Sequence, residues 1–196
     1  MDIETNSHSY INYGINDLSN TPLWNLIQEK LNSSNLQWED AIANEKQRKK
    51  NIRKSKIAWL KDSYLREQLF HSIDLFNKKN WNYDLDGTEL FQYGIYSGGG
   101  YYDWHIDQRP EIKNLYGQSL VRKLSMTIWL NDPDEYEGGE FDIEVDGPYK
   151  DLRYESLKLP KGSIIVFPSN SWHRVRPVTS GERKSLVGWF SGPPLR

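Results

Sequence analysis

The chain contains no cysteine, which removes disulfides, thiolate metal sites and a cysteine nucleophile together. Any bound metal must therefore be held by His, Asp or Glu, and the sequence has only four histidines: His8, His71, His105 and His173. Long apolar runs are missing too. No stretch approaches the roughly 20 residues of a membrane span, and residues 1–13 show no basic segment followed by an apolar one, so the expectation is a cytoplasmic protein with no membrane partner. Neither sign of charge dominates. The 25 Lys and Arg against 27 Asp and Glu give 25 − 27 = −2, which argues against a generally basic nucleic-acid binder. There is no internal repeat and no low-complexity tract. What the chain has in quantity is aromatic surface: hydrophobic residues make up 37% and mean hydropathy is −0.78, yet eight Trp and twelve Tyr exceed what a disordered chain carries. A length of 196 residues suits one domain with a sizeable core.

Thr21 and Pro22, a capping residue followed by the residue best tolerated at a first helical position, precede Leu23, Leu26, Ile27 and Leu31 at helical spacing and predict a helix over 22–32. Asp62 caps a second, whose apolar face is Leu65, Leu69, Ile73 and Phe76 and which ends at residues 78–80. Both helices are expected to cover a sheet. Between them, residues 36–42 and 52–60 read as strands on either side of a basic loop. After Asn80 the pattern becomes short β-prone runs separated by turn residues, at about 88–96, 101–107, 122–131, 139–145, 153–159, 163–168, 173–178 and 184–191. Eight such strands without a crossover helix predict a jelly-roll or barrel and disfavour a parallel α/β sheet. Two charge runs stand out. Residues 46–56 hold seven basic side chains and no acid, and residues 132–146 hold eight acids and no base. Both read as solvated surface, and the acidic run lacks the spacing of a calcium-binding loop.

In Tyr101-Tyr102-Asp103-Trp104-His105-Ile106-Asp107, a His and an Asp two residues apart share one face if the stretch is a strand. A third ligand from a distant strand then completes a set of two His and one carboxylate. His173 is the candidate, because His8 lies near the terminus and His71 falls in the second helix. Such a set leaves one side of the metal open, as in non-haem Fe(II) oxygenases. Zinc hydrolases usually place their histidines one helical turn apart in H-E-x-x-H, and no such motif is present. An H-x-D pair by itself equally describes a hydrogen-bonded surface histidine.

The surrounding text narrows the choice. Residues 96–107, Arg122-Lys123-Leu124-Ser125-Met126-Thr127-Ile128-Trp129-Leu130-Asn131, Gly138-Gly139-Glu140-Phe141, residues 160–168, and the span from His173 through Arg183 to Trp189 occur in one order. Over residues 36–191 the chain resembles the prolyl-4-hydroxylase-type branch of the Fe(II)/2-oxoglutarate-dependent dioxygenases. The resemblance implies a mainly β fold, a double-stranded β-helix (jelly-roll) with N-terminal helices. It further implies a single domain over 1–196, in which residues 1–80 pack on a catalytic core at 81–191. The implied cofactors are Fe(II) and 2-oxoglutarate, with dioxygen as cosubstrate, and the metal ligands are His105, Asp107 and His173.

For the distal carboxylate of 2-oxoglutarate the resemblance points to Arg183, ten residues after His173, since a guanidinium matches a carboxylate with two parallel hydrogen bonds. Ser185 at i+2 shares its face, Lys184 does not, and Tyr96 matches the tyrosine of the family's Y-x-x-G segment. Thr127, Trp129, Val175 and Trp189 are candidates to line the cavity, although core packing accounts for them equally well. Tyr102, Trp104, Arg122 and Trp172 are the substrate-side candidates, and residues 43–56 a candidate gating loop. The implied reaction hydroxylates a C–H bond and releases succinate and carbon dioxide. A prolyl residue of a peptide or protein is the leading substrate. The alternatives are a non-catalytic metal and 2-oxoglutarate sensor, a cupin-like zinc or manganese enzyme, and an oxygenase of the same superfamily acting on a small molecule or nucleic acid.

Overall fold

The computed structural model describes residues 13–41, 44–45, 50–109, 112–113, 117–145 and 153–194. The chain runs β1 (Gly14–Asp17), α1 (Pro22–Ser33), β2 (Trp38–Ala41), the short pair β3 (Asn44–Glu45) and β4 (Lys50–Asn51), β5 (Arg53–Leu60), α2 (Ser63–Asn80), β6 (Gly87–Thr88), β7 (Phe91–Ser97), β8 (Tyr101–His105), β9 (Ile112–Lys113), β10 (Ser119–Trp129), a 3-10 turn (Pro133–Glu135), β11 (Tyr136–Gly138), β12 (Phe141–Glu144), β13 (Tyr154–Leu157), β14 (Ser163–Pro168), β15 (His173–Val175) and β16 (Val178–Gly192). Both helices start at the expected caps. The Thr21 hydroxyl accepts from the Trp24 N–H and the Asp62 carboxylate from the Leu65 N–H, each filling one of the donors a helix start leaves unpaired.

The strands form two facing layers in antiparallel order. One layer is β1-β14-β10-β16-β7-β5 and the other is β8-β15-β12-β13. Strand β5 joins them, pairing with β7 through residues 56–60 and with β8 through Arg53 and Lys54. The alternation of β10 and β14 explains why two cores exist. Leu124, Met126, Ile128, Ile164 and Val166 face the helices, joining Ile27, Leu65, Leu69, Ile73 and Phe76. Their neighbours Trp129, Ile165 and Phe167 face the other layer, against Phe141, Ile143 and Val175. Each fully buried Leu, Ile or Phe contributes about 1.5–3 kcal/mol, so both faces of the larger layer are anchored and the gap between layers is fixed. The molecule is a mainly β double-stranded β-helix carrying its two helices on the outer face. Among the described residues, no helix is long and apolar enough to cross a membrane.

Several boundaries differ from the sequence pattern for identifiable reasons. Residues 173–178 and 184–191 were expected as two strands separated by a turn, but β16 runs unbroken from Val178, because β11 pairs with it up to Gly181 and β7 from Glu182 onward. The run 139–145 is preceded by a separate strand, β11, and the chain turns between the two at Gly138 and Gly139, with φ of 70° and 67°. The basic segment 43–56 is not a loop at its C-terminal end: Arg53 to Lys56 belong to β5, with Ser55 buried while Lys54 and Lys56 are exposed. Ala43 and residues 46–49 lie outside the described residues, and so does the gating role expected of them. The acidic run is not wholly solvated either. Asp142 is fully buried and accepts from the Arg174 and Arg176 Nε–H groups at 2.7 and 2.8 Å.

Candidate metal centre and its recess

His105 closes β8 and stands directly opposite His173 of β15, with ring centroids 4.1 Å apart. The register then slips, since Val175 is opposite Tyr102, so three steps along β8 match two along β15. This bulge puts Tyr102 and His105 on the same face. Their rings stack at 3.5 Å with 13° between planes.

Asp107 lies two residues past the end of β8, where strand pleating alone does not position it. Its N–H and that of Gln108 both donate to the Ser169 carbonyl, at 2.9 and 2.8 Å, and its own carbonyl accepts from Arg122 Nη1 at 3.3 Å. One ligand atom each from His105, Asp107 and His173 falls within a 4.8 Å cluster. The imidazole Nε2 atoms are 3.8 and 3.5 Å from the Asp107 carboxylate oxygens. Each ring turns Nδ1 to a backbone carbonyl, His105 to Asp103 at 2.8 Å and His173 to Ser171 at 3.0 Å. The Nδ1–H therefore donates outward and the Nε2 lone pair faces the cluster, the tautomer a metal requires.

All three groups are buried. Burial, with His173 close by, pulls His105 down to about 3 and keeps it neutral. At Asp107 burial pushes upward, but the imidazoles of His173 and His105, with Trp189 and Ser125 nearby, outweigh it and hold the carboxyl below its ordinary range. A neutral His105 imidazole beside an ionised carboxylate suits a divalent cation. His71 is exposed on α2, far in role from this cluster, and His8 lies outside the described residues.

The cluster forms one end of a narrow recess of about 30 Å³, whose walls include Thr127, Val175, Trp189 and Tyr96. Arg183 is at this recess too, entirely buried and opposite Tyr96 in the β7–β16 register. Its Nη1 donates to Ser185 Oγ at 3.1 Å, while Nε and Nη2 have no acceptor among the described residues. Burial pushes its pKa down, and the Tyr96 and Tyr136 phenols beside it act in the opposite sense. An arginine stays charged in such a setting, so the recess contains a buried cation whose Nε and Nη2 donors suit an anionic ligand. Lys184 points away and lies 3.4 Å from Glu182. Trp129 is not on the wall: it packs behind Arg183, its ring centroid 5.4 Å from the guanidinium carbon and its indole N–H unpartnered.

The four substrate-side candidates separate. Tyr102 lines the recess, and burial is the main reason its phenol is pushed up to about 12. Trp172 is 47% exposed beside His173. Trp104 is on the opposite face of the sheet, edge-on to Tyr154 at 5.5 Å and under the Arg174 guanidinium at 4.8 Å, because it is the immediate neighbour of His105 on β8 and adjacent strand residues point to opposite faces. Arg122 is 5% exposed, not at an open mouth. Its Nε and Nη2 donate to the Glu89 carboxylate at 2.6 Å each, and it lies 4.1 Å from the Trp189 ring, so it braces Asp107 from behind.

One recess residue was hidden in the basic run. Arg53 donates from Nη2 to Gln92 Oε1 at 2.7 Å and from Nε to Ser55 Oγ at 2.9 Å, and its guanidinium sits 4.7 Å over the Tyr102 ring. Its signal was the alternation Arg53, Ser55, Ile57, which puts this cation on the inward face.

Comparison with known proteins agrees with this geometry. A PKHD-type hydroxylase of Stenotrophomonas maltophilia (strain R551-3) is 42% identical over 99 residues, which is 50% of this chain and 41% of that protein. The match thus spans about two fifths of the relative's length. A viral collagen prolyl hydroxylase from Paramecium Bursaria Chlorella virus-1, solved as a 2OG complex, superposes with a TM-score of 0.62 at 21% identity over 92% of this chain and 96% of that one. A prolyl hydroxylase from Trichoplax adhaerens, solved with a hypoxia inducible factor peptide fragment, gives 0.64 at 19% identity over 91% and 83%. These two structures share the fold. Residues 91–191, the stretch that supplies all three clustered ligands and Arg183, match the sequence pattern of the 2OG-Fe(II) oxygenase superfamily, and the chain belongs to that family.

Proposed function

We propose that this chain is an Fe(II)- and 2-oxoglutarate-dependent hydroxylase acting on a prolyl residue of a peptide or protein. One observation carries the reading: a buried arginine with unused donors shares a single recess with two imidazoles and a carboxylate whose ligand atoms converge. His105 Nε2, His173 Nε2 and the Asp107 carboxylate would hold the iron. Arg183, with Ser185 and Tyr96, would hold the distal carboxylate, in a charge-assisted pairing that also compensates a cation otherwise buried alone.

Bound iron, 2-oxoglutarate and dioxygen supply the oxidising chemistry, in which one oxygen atom enters the substrate C–H bond as hydroxyl and the other enters succinate, with loss of carbon dioxide. The protein's part is placement. The carbonyls of Asp103 and Ser171 fix the two ring tautomers, Ser169 and Arg122 fix the Asp107 backbone, and Thr127, Val175 and Trp189 narrow the recess. Residues 81–191 form the catalytic core in this reading, and the described part of residues 1–80 contributes a cover and Arg53. On the substrate side, Tyr102 and Arg53 stand in the recess, and the exposed Ile106 and Trp172 offer an apolar rim beside the ligands. A peptide is favoured by that rim and by the peptide bound in the Trichoplax adhaerens structure.

The test is anaerobic loading with Fe(II) and 2-oxoglutarate, then exposure to oxygen with a proline-containing peptide library and mass spectrometry. The expected result is a gain of one oxygen on a prolyl residue, matched by succinate. Oxygen added only to other residues would overturn the prolyl assignment, and succinate with no oxidised peptide would overturn the hydroxylase assignment.

A further inference from the structure

Tyr136, which begins β11, is 3% exposed; its hydroxyl makes no fully formed hydrogen bond among the described residues, yet the Arg183 and Trp129 donors lie close enough to oppose the rise in its pKa that burial causes. Two other buried groups nearby are in the same condition: the Trp129 indole N–H and Nε and Nη2 of Arg183. The fold brings them together. At Gly139, whose φ is 67°, a Cβ would stand 3.1 Å from Arg183 Cδ and 3.1 Å from Tyr136 Cε2, so the tyrosine ring and the arginine stem close over a residue that has room for no side chain. Tyr136 is pinned in place by its register opposite Gly181. Lys158 Nζ donates to its carbonyl at 2.8 Å and lies 4.5 Å from its ring centroid.

Arginine and tryptophan side chains offer only donors, whereas a phenol both donates and accepts. Tyr136 is not on the recess wall, although Arg183 is. We infer that Tyr136 is a positioning residue for Arg183: its oxygen takes a guanidinium N–H turned away from the recess, leaving the remaining N–H groups aimed at the distal carboxylate. This deepens the cosubstrate reading above and rests on it. No feature of the motif text pointed to Tyr136, because its role depends on where β11 lies against β16.

The test is calorimetric titration of 2-oxoglutarate into the full chain loaded with Mn(II), under nitrogen. Tyr136→Phe keeps the ring and removes the hydroxyl. Its 2-oxoglutarate Kd is expected to rise about fivefold, the usual worth of one hydrogen bond, with the Mn(II) Kd unchanged. In an Arg183→Ala background the same substitution should have almost no effect, since its route to the ligand is gone. An unchanged Kd in Tyr136→Phe overturns the inference. So does an equal loss of Mn(II) affinity, or a fivefold effect that persists without Arg183. Full 2-oxoglutarate affinity in Arg183→Ala alone would overturn the reading of the recess itself, and this inference with it.

Discussion

The two ends of the recess are built in different ways. The metal end stands on short, irregular pieces of the smaller layer: β8 and β15 are slipped by a bulge, and Asp107 lies beyond any strand. Its geometry comes from backbone hydrogen bonds, to Asp103, Ser171 and Ser169 carbonyls, together with the Arg122 brace. The Arg183 end stands on the long β16, zipped to β7 and β10 along its length, and there the polar side chains are left with spare donors. Satisfied groups hold a fixed arrangement of ligands, and the spare Arg183 donors suit an anionic group. The contrast predicts that damage to each end stays at that end.

The largest effect is expected at the metal. His173→Ala should abolish tight Fe(II) or Mn(II) binding, and the melting temperature should stop responding to a chelator, whereas His71→Ala should bind metal like the wild type. Retained metal in His173→Ala would remove it from the ligand set. Next is Arg183→Ala, which deletes a charged hydrogen-bonding partner worth about 1.5–3 kcal/mol, or roughly 10- to 150-fold in 2-oxoglutarate affinity. Metal affinity should be untouched, and Lys184→Ala should change neither. Loss of both ligands together would break the separation of the two ends.

Smaller effects sharpen the comparison. Asp142→Asn weakens the outer clamp that ties Arg174 and Arg176 across β15 and β12. Because those arginines are partly exposed, the expected loss is about 2 kcal/mol of stability, less than for a fully buried pair. Metal retention should weaken more than 2-oxoglutarate affinity, since β15 carries His173. The smallest effect is that of Tyr102→Phe. The ring stack on His105 survives, so metal and 2-oxoglutarate affinities should match the wild type, while substrate turnover falls if the phenol meets the substrate.

The same contrast explains what could be read from the sequence. Alternation and caps gave both helices and most strands, and the resemblance carried by the ordered motifs named His105, Asp107, His173 and Arg183, which the fold brings to one recess. The face of Arg183 against Lys184 followed from pleating alone, because β16 is regular. At the irregular end the same logic reached less far. The bulge in β8 is defined only by its partner β15, and it brings Tyr102 onto the His105 face; Trp104, expected on the substrate side, turns outward as the neighbour of His105, and Arg122, expected at the mouth, is instead consumed by Glu89. Arg53 was concealed among seven basic residues of which it alone faces in toward Tyr102 and Gln92 among the described side chains.

The most direct test is a crystal structure of the chain grown anaerobically with Mn(II) and 2-oxoglutarate. The account predicts one metal on His105 Nε2, Asp107 and His173 Nε2, with the distal carboxylate paired to Arg183. Metal at any other site, or a distal carboxylate turned toward Arg53 and away from Arg183, would contradict it.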